Sequence, residues 1–188
     1  SASDAREAYT PTHALEASPY FQSPNGPWKI QWAADPSQAS TAFFEDGFDA
    51  SGWEEIEVPS TWQVYGIRHG KEWDKPLYVN AAYPFTYDGN TWDVMADRPD
   101  WYSYNNKMKN PVGSYRREFM LPEEWKGRDV MLRFNGAGHG YYVWVNGEFV
   151  GYAEDSYLPS EFDITDKLRS GKNNIAVRVY RFTSGSFL

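Results

Sequence analysis

The sequence predicts an all-β fold, a sandwich of two sheets carrying long irregular loops, and three observations predict it. Short runs of alternating apolar and polar residues recur along the chain, and no long stretch follows the helical period. Nine Trp, fourteen Tyr and eleven Phe make up 18% of the 188 residues. That enrichment suits strands packed face to face, and it equally suits rings stacked on the C–H faces of sugars. The dipeptide Asn146-Gly147 sits between the apolar runs Tyr141 to Val145 and Phe149 to Tyr152. A two-residue turn of that kind needs positive φ at both positions, which Asn and Gly tolerate, so it specifies a tight hairpin. The length allows one substantial core, hence one domain.

Taken in order, residues 1–27 are polar, contain Pro11, Pro19, Pro24 and Pro27, and read as an arm crossing a surface. Trp28, Ile30 and Trp32 alternate with Lys29 and Gln31, the mark of a half-buried strand. Thr41 to Asp49 predicts a short turn of helix with Phe43, Phe44 and Phe48 near one face. Between Glu54 and Gly113, Pro and Gly interrupt a stretch dense in aromatics, including Trp62, Trp73, Tyr83 and Trp92. A long irregular stretch of this composition is a functional loop region whose rings pack on the sandwich or on another surface. Tyr115, Arg117, Phe119 and Leu121 share one parity, as do Val130, Leu132 and Phe134. These two runs are expected to be neighbouring strands joined through Pro122 to Gly127. After the hairpin, Phe162 and Ile164 predict a short edge, Thr165 to Leu168 a capped turn, and Ile175, Val177 and Val179 a last strand.

Composition removes several function classes. A formal net charge of −8 and a pI near 4.9 repel phosphate backbones, so nucleic acid is not an expected partner. With no cysteine, disulfides, thiolate metal sites and a thiol nucleophile are all impossible. No apolar run approaches the roughly 20 residues of a membrane helix, and Ser1 to Ala8 lacks an apolar signal core. A soluble protein is expected, periplasmic or cytoplasmic.

A catalytic constellation is hard to find. Gly-x-Ser-x-Gly is absent, and Gly185-Ser186 reads as loop. His13, His69 and His139 are isolated, with no ligand spacing between them. The glycines of Gly136-Ala137-Gly138-His139-Gly140 precede a strand and not a helix, so they read as sites of close approach or a bulge and not as a phosphate cradle. Asp88, Asn90, Asp93, Asp97 and Asp100 lack the alternating order of an EF-hand loop. Glu123, Glu124, Asp155, Glu161 and Asp163 fall at turns and strand ends, where capping and solvation account for them.

Phe134-Asn135-Gly136 through Val143-Trp144-Val145-Asn146-Gly147-Glu148-Phe149-Val150-Gly151-Tyr152 resembles the N-terminal, galactose-binding-domain-like jelly roll of glycoside hydrolase family 2. Gly151 to Ser156, Leu158 to Ile164 and Pro76-Leu77-Tyr78-Val79-Asn80-Ala81-Ala82-Tyr83-Pro84 are similar to the large β-galactosidases of that family more than to its β-glucuronidases or β-mannosidases. Asn25 to Lys29, Val58 to Gln63 and Asn110 to Gly113 match as well, so the resemblance covers about Pro24 to Leu188 and divides the chain into an arm, 1–23, and a jelly-roll domain, 24–188.

The resemblance implies a β-galactoside as substrate, a retaining hydrolase as parent, and Asn80 as a contact to the sugar. A carboxamide offers both donor and acceptor to a hydroxyl. The plainer alternative for Asn80 is an Asx turn before Ala81, and for Trp62 and Tyr83 it is packing. The catalytic glutamates are expected in a later barrel domain, outside this chain, and a family aspartate that binds sodium and galactose just beyond Leu188. Catalytic residues are therefore expected to be none here, and this piece alone inactive. The parent is expected to use sodium and magnesium and to be a homo-oligomer. Ser184 stands near where a magnesium-linked aspartate is expected and Glu154 where glutamine is common, so no metal or other cofactor is expected on this chain. Other readings stay open: an autonomous carbohydrate-binding module, a structural or oligomerisation domain, and, within the family, a β-glucuronidase or β-mannosidase as parent.

Overall fold

The computed structural model describes residues 16–74, 85–87, 92–94, 110–154 and 158–183. Its strands are β1 (Gly26–Ala33), β2 (Glu54–Val58), β3 (Phe85–Tyr87), β4 (Trp92–Val94), β5 (Val112–Leu121), β6 (Met131–Phe134), β7 (Gly140–Val145), β8 (Glu148–Glu154), β9 (Ser160–Asp163) and β10 (Gly171–Tyr180), with one helix, α1 (Trp62–Arg68). Six of them form an antiparallel sheet in the order β2-β1-β5-β10-β7-β8. A second layer contains the pair β6-β9, and β3-β4 form a separate two-stranded ribbon.

The core lies between the layers. Trp28, Ile30, Ile56, Tyr115, Tyr141, Val143, Val145, Ile175 and Val177 point in from the large sheet, and Leu132 and Ile164 meet them from the other side. The hairpin forms as the sequence predicts: Asn146 and Gly147 take φ of 51° and 86°, and β7 pairs with β8. β9 pairs with β6, and Asp163 Oδ1 accepts from Thr165 N at 3.0 Å where the chain enters the following 3₁₀ turn, Thr165–Lys167.

Three expectations need correction. β5 and β6 are not neighbours: β5 lies between β1 and β10, whereas β6 belongs to the other layer. The link between them includes a 3₁₀ turn, Glu123–Trp125, whose Trp125 is buried and donates to Pro19 O at 3.2 Å. A link anchored in this way crosses from one layer to the other and does not close a hairpin. Thr41 to Asp49 is a series of turns, not a helix. The Arg116 guanidinium reaches up from β5 and takes the carbonyls of Phe43 and Glu45, so the backbone there is held by a side chain beneath it. Finally, the stretch after Glu54 is not all irregular. β2 is an edge strand whose Ile56 is buried between exposed acids, and α1 starts at an N-cap where Thr61 Oγ1 accepts from Val64 N. Both are too short to show a period.

The loop after β1 also explains why β10 is buried on both faces. Arg178 donates to Ser40 O at 2.6 Å and lies 4.3 Å from the Phe43 ring, while Phe44 stacks on Trp144 at 5.0 Å. Among the described residues no helix is long and apolar enough to cross a membrane.

Candidate functional site

At one end of the sandwich the turn from β2 into α1 faces the loop between β6 and β7, and a cleft of about 550 Å³ opens between them. Trp28, Tyr115, Val177 and Val179 form its floor, Pro59 to Gln63 one wall, and Asn135 to His139 the other. Gly113 sets the depth of the floor. A Cβ there would lie 2.7 Å from Tyr115 Cε2 and 3.0 Å from Trp62 Cε3, so only glycine lets both rings close over β5.

The polar groups at this end form a connected set. Arg181 Nε lies 2.7 Å from Asp74 Oδ2, with only 14% and 4% of the two side chains exposed. Gln63 Nε2 donates to the same carboxylate oxygen at 3.1 Å. Arg181 N donates to Pro111 O at 2.9 Å, and Asn110 bonds Phe182 twice, accepting from its N–H at 3.0 Å and donating to its carbonyl at 3.1 Å. His139 N donates to Tyr180 O at 3.1 Å. Burial, and after it the charge of Arg181, hold the His139 imidazole below its ordinary value, which favours the neutral ring. Burial also pushes the Tyr115 phenol well up, so it stays a hydroxyl.

The cleft sets apolar rings beside amide, hydroxyl and backbone groups and the Arg181 guanidinium, a surface able to stack on a sugar and bond its hydroxyls. None of the described residues that line the cleft is Asp or Glu. Glycoside hydrolysis needs two carboxylates about 5 to 10 Å apart, and this wall supplies neither. Among the described residues no group of three or more His, Asp or Glu stands where it would hold a metal ion.

The residues singled out in the sequence scatter. Asn80 and Tyr83 lie outside the described residues, as do His13 and Ser184. Trp62 is 4% exposed and belongs to the core, as its packing reading expects. His69 caps the C-terminus of α1, stacked on Tyr65, away from the cleft. Gly136 to His139 of the glycine run line the cleft, and at Gly140 a Cβ would run into Thr183 and lie 2.8 Å from Tyr152 Oη, which is the close approach expected there. Asp74, Gln63 and Arg181 were not candidates. Their pairing joins positions over a hundred residues apart, and only the adjacency of Asp74 to the Pro76 to Pro84 motif pointed that way.

Residues 21–188 match the family described as glycosyl hydrolases family 2, sugar binding domain. The chain belongs to glycoside hydrolase family 2. Within that family it is similar to a β-galactosidase of Priestia megaterium, 41% identical over 92% of this chain and 15% of that protein. It is also similar to a β-galactosidase of Clostridium acetobutylicum, 42% identical over 90% of this chain and 17% of that protein. The chain thus spans about a sixth of the length of these relatives. Among solved structures, a Bacteroides uniformis β-glucuronidase superposes with a TM-score of 0.58 at 25% identity, covering 87% of this chain and 15% of that one. A Ruminococcus gnavus β-glucuronidase in complex with a C6-substituted uronic isofagomine gives 0.56 at 22% identity over 84% and 21%, and shares the fold.

Proposed function

We propose that this family 2 domain serves a β-galactosidase that hydrolyses terminal β-galactosides with retention, forming part of the wall of the substrate pocket and buttressing a catalytic barrel. The observation that carries the reading is 41% identity across 92% of the chain to a protein named β-galactosidase. The carboxylate-free lining of the cleft supports it, because the acid/base and nucleophile must then come from elsewhere in the longer protein. Asn80 is the residue of this chain assigned to the sugar. Its carboxamide would donate to one hydroxyl oxygen and accept from another, which orients the ring without taking part in bond breaking.

The test has two arms. The chain alone should show no hydrolysis of a chromogenic β-galactoside above an inactive-mutant background, whereas the full-length protein should turn over the β-galactoside in preference to the β-glucuronide and β-mannoside. Preference for the glucuronide would sink the assignment. In the full-length protein Asn80→Ala should raise KM by about three- to tenfold, the worth of one neutral hydrogen bond. Unchanged kinetics would remove Asn80 from the substrate.

One observation favours a second reading, an autonomous carbohydrate-binding module. Phe149 and Tyr152 are 53% and 39% exposed on the outer face of β8, beside Tyr142 and Trp144. The rings are tilted to one another by 32° to 61°, so they offer no continuous flat platform. Calorimetry with galactose, lactose and xylan separates the two, because a single pocket wall should bind at best in the millimolar range. Micromolar binding lost in Phe149→Ala would favour the module.

A further inference from the structure

We infer that the cleft is a binding position for one neutral pyranose ring, with the Tyr115 hydroxyl as the donor and the Gln63 side-chain carbonyl as the acceptor that meet its hydroxyls. Two unused polar atoms carry the inference. Tyr115 and Gln63 both line the cleft and are only 9% and 8% exposed. Tyr115 Oη makes no hydrogen bond among the described residues. Gln63 gives its Nε2 to Asp74 at 3.1 Å, and its Oε1 accepts nothing among the described residues. A buried polar group left without a partner is costly, so two of them in one cleft call for an occupant. Orphan atoms such as Ser114 Oγ and Trp62 Nε1 are sealed inside the protein, but Tyr115 Oη and Gln63 Oε1 are not. A molecule seated in the cleft can reach both.

The lining selects the chemistry of that molecule. About 550 Å³ lies within the roughly 300–1,000 Å³ of small-ligand sites. A pyranose has apolar C–H faces and a girdle of hydroxyls that both give and take hydrogen bonds. Trp28, Phe134 and the Tyr115 ring offer the apolar surface, and the unused phenol and carboxamide oxygen offer one donor and one acceptor. Burial pushes the Tyr115 phenol well up, so it remains a donor through the neutral range. Charge selects against an ionised sugar. Among the described lining residues there is no Asp or Glu, and the Arg181 guanidinium already meets Asp74 at 2.7 Å, so a uronate carboxylate would find it engaged. This position goes beyond the function proposed above, and it would stand even if the parent preferred another glycoside.

The experiment titrates methyl β-galactoside into the 188-residue chain and reads the amide NMR shifts of residues 61–63 and 135–139, with methyl β-glucuronide and the open-chain polyol glucitol in parallel. The galactoside should give a saturable shift with Kd in the millimolar range, the glucuronide should bind no tighter, and glucitol, which has the hydroxyls without the ring, should not saturate. Tyr115→Phe removes one oxygen and keeps the ring. It should weaken the galactoside by about five- to tenfold, the worth of one neutral hydrogen bond. Its melting temperature should hold or rise, because that hydroxyl bonds nothing in the free protein. Phe149→Ala, on the outer face of β8, should titrate like wild type. Four outcomes would each overturn the inference: no saturable shift with the galactoside, tighter binding of the glucuronide, an unchanged Kd in Tyr115→Phe, or shifts abolished by Phe149→Ala. The first two are read on the wild-type chain and decide even if Tyr115→Phe folds poorly.

Discussion

β10 runs between two ends of the sandwich that are finished in different ways. At its first end two asparagines, Asn146 and Asn173, are bonded to each other and to the backbone around them. Asn173 is fully buried and uses its whole carboxamide, accepting from Arg169 N and Asn146 Nδ2 and donating to Arg169 O and Gly171 O. Asn146 donates also to Lys167 O at 2.8 Å and accepts from Asn174 N at 2.9 Å. At its second end the cleft opens, and the Tyr115 hydroxyl has no hydrogen-bond partner among the described residues. The strongest bonds at that end secure segments: Asp74, Asn110 and Arg181 all stand at or near the roots of long connections. One end is built to be stable, the other to hold something in place.

The largest effect that would break this contrast is expected at the closed end. Asn173→Ala removes four hydrogen bonds from a site with no exposed surface, at about 1 kcal/mol each, so it should cost about 4 kcal/mol. Urea denaturation of the chain checks it. The folded fraction of a full-length protein carrying it should keep its KM for the β-galactoside, and a changed KM would mean the two ends are not independent. Gly113→Ala comes next. Its Cβ would press 2.7 Å from Tyr115 and 3.0 Å from Trp62, which overpacks the floor of the cleft by about 2 kcal/mol. Because the displaced rings line the cleft, this variant should change both the melting temperature and KM. A loss of stability alone would show that the floor is remote from the sugar.

The two ends were also unequally legible in the sequence. Asn146-Gly147 announces its hairpin because the signal is local: two positive φ angles are written into two adjacent residues. The alternation of Trp28, Ile30 and Trp32 and of Ile175, Val177 and Val179 is local too, and both strands are where it puts them. Which strands pair is not local. Nothing in residues 112–134 says that β5 will turn to β1 and β10 while β6 joins β9, because an alternating pattern marks a face and not a neighbour. The turns at Thr41 to Asp49 failed for the same reason, since the deciding partner is Arg116, far along the chain. At the open end the loss is greater still. Asn80 entered through a motif shared with a family, and Asp74 with Arg181 through an ion pair that only the fold brings together.

The smallest effect sharpens the contrast most directly, because acid reaches the two ends at different pH. His139, at the open end, is held below the ordinary histidine value by burial and by Arg181, so its folded-state pKa lies below its unfolded one, near 6.5. A depressed group contributes its full stability above the unfolded pKa and loses it as pH falls through the folded one. Asp46, at the closed end, is held down by its two-pronged contact with Arg169, at 2.7 and 2.8 Å. Its contribution persists until pH falls below the unfolded aspartate value, near 3.9. Between pH 7 and 5, the amide protection factors, corrected for intrinsic exchange, should therefore fall at His139 and Arg181, whose N–H groups bond across the open end, and not at Asn146 and Asn174. His139→Gln should abolish the difference, since it keeps a polar side chain and cannot take up the proton. Equal loss of protection at both ends, or a response that survives the substitution, would show that the cleft does not carry the acid sensitivity and that the two ends loosen as one.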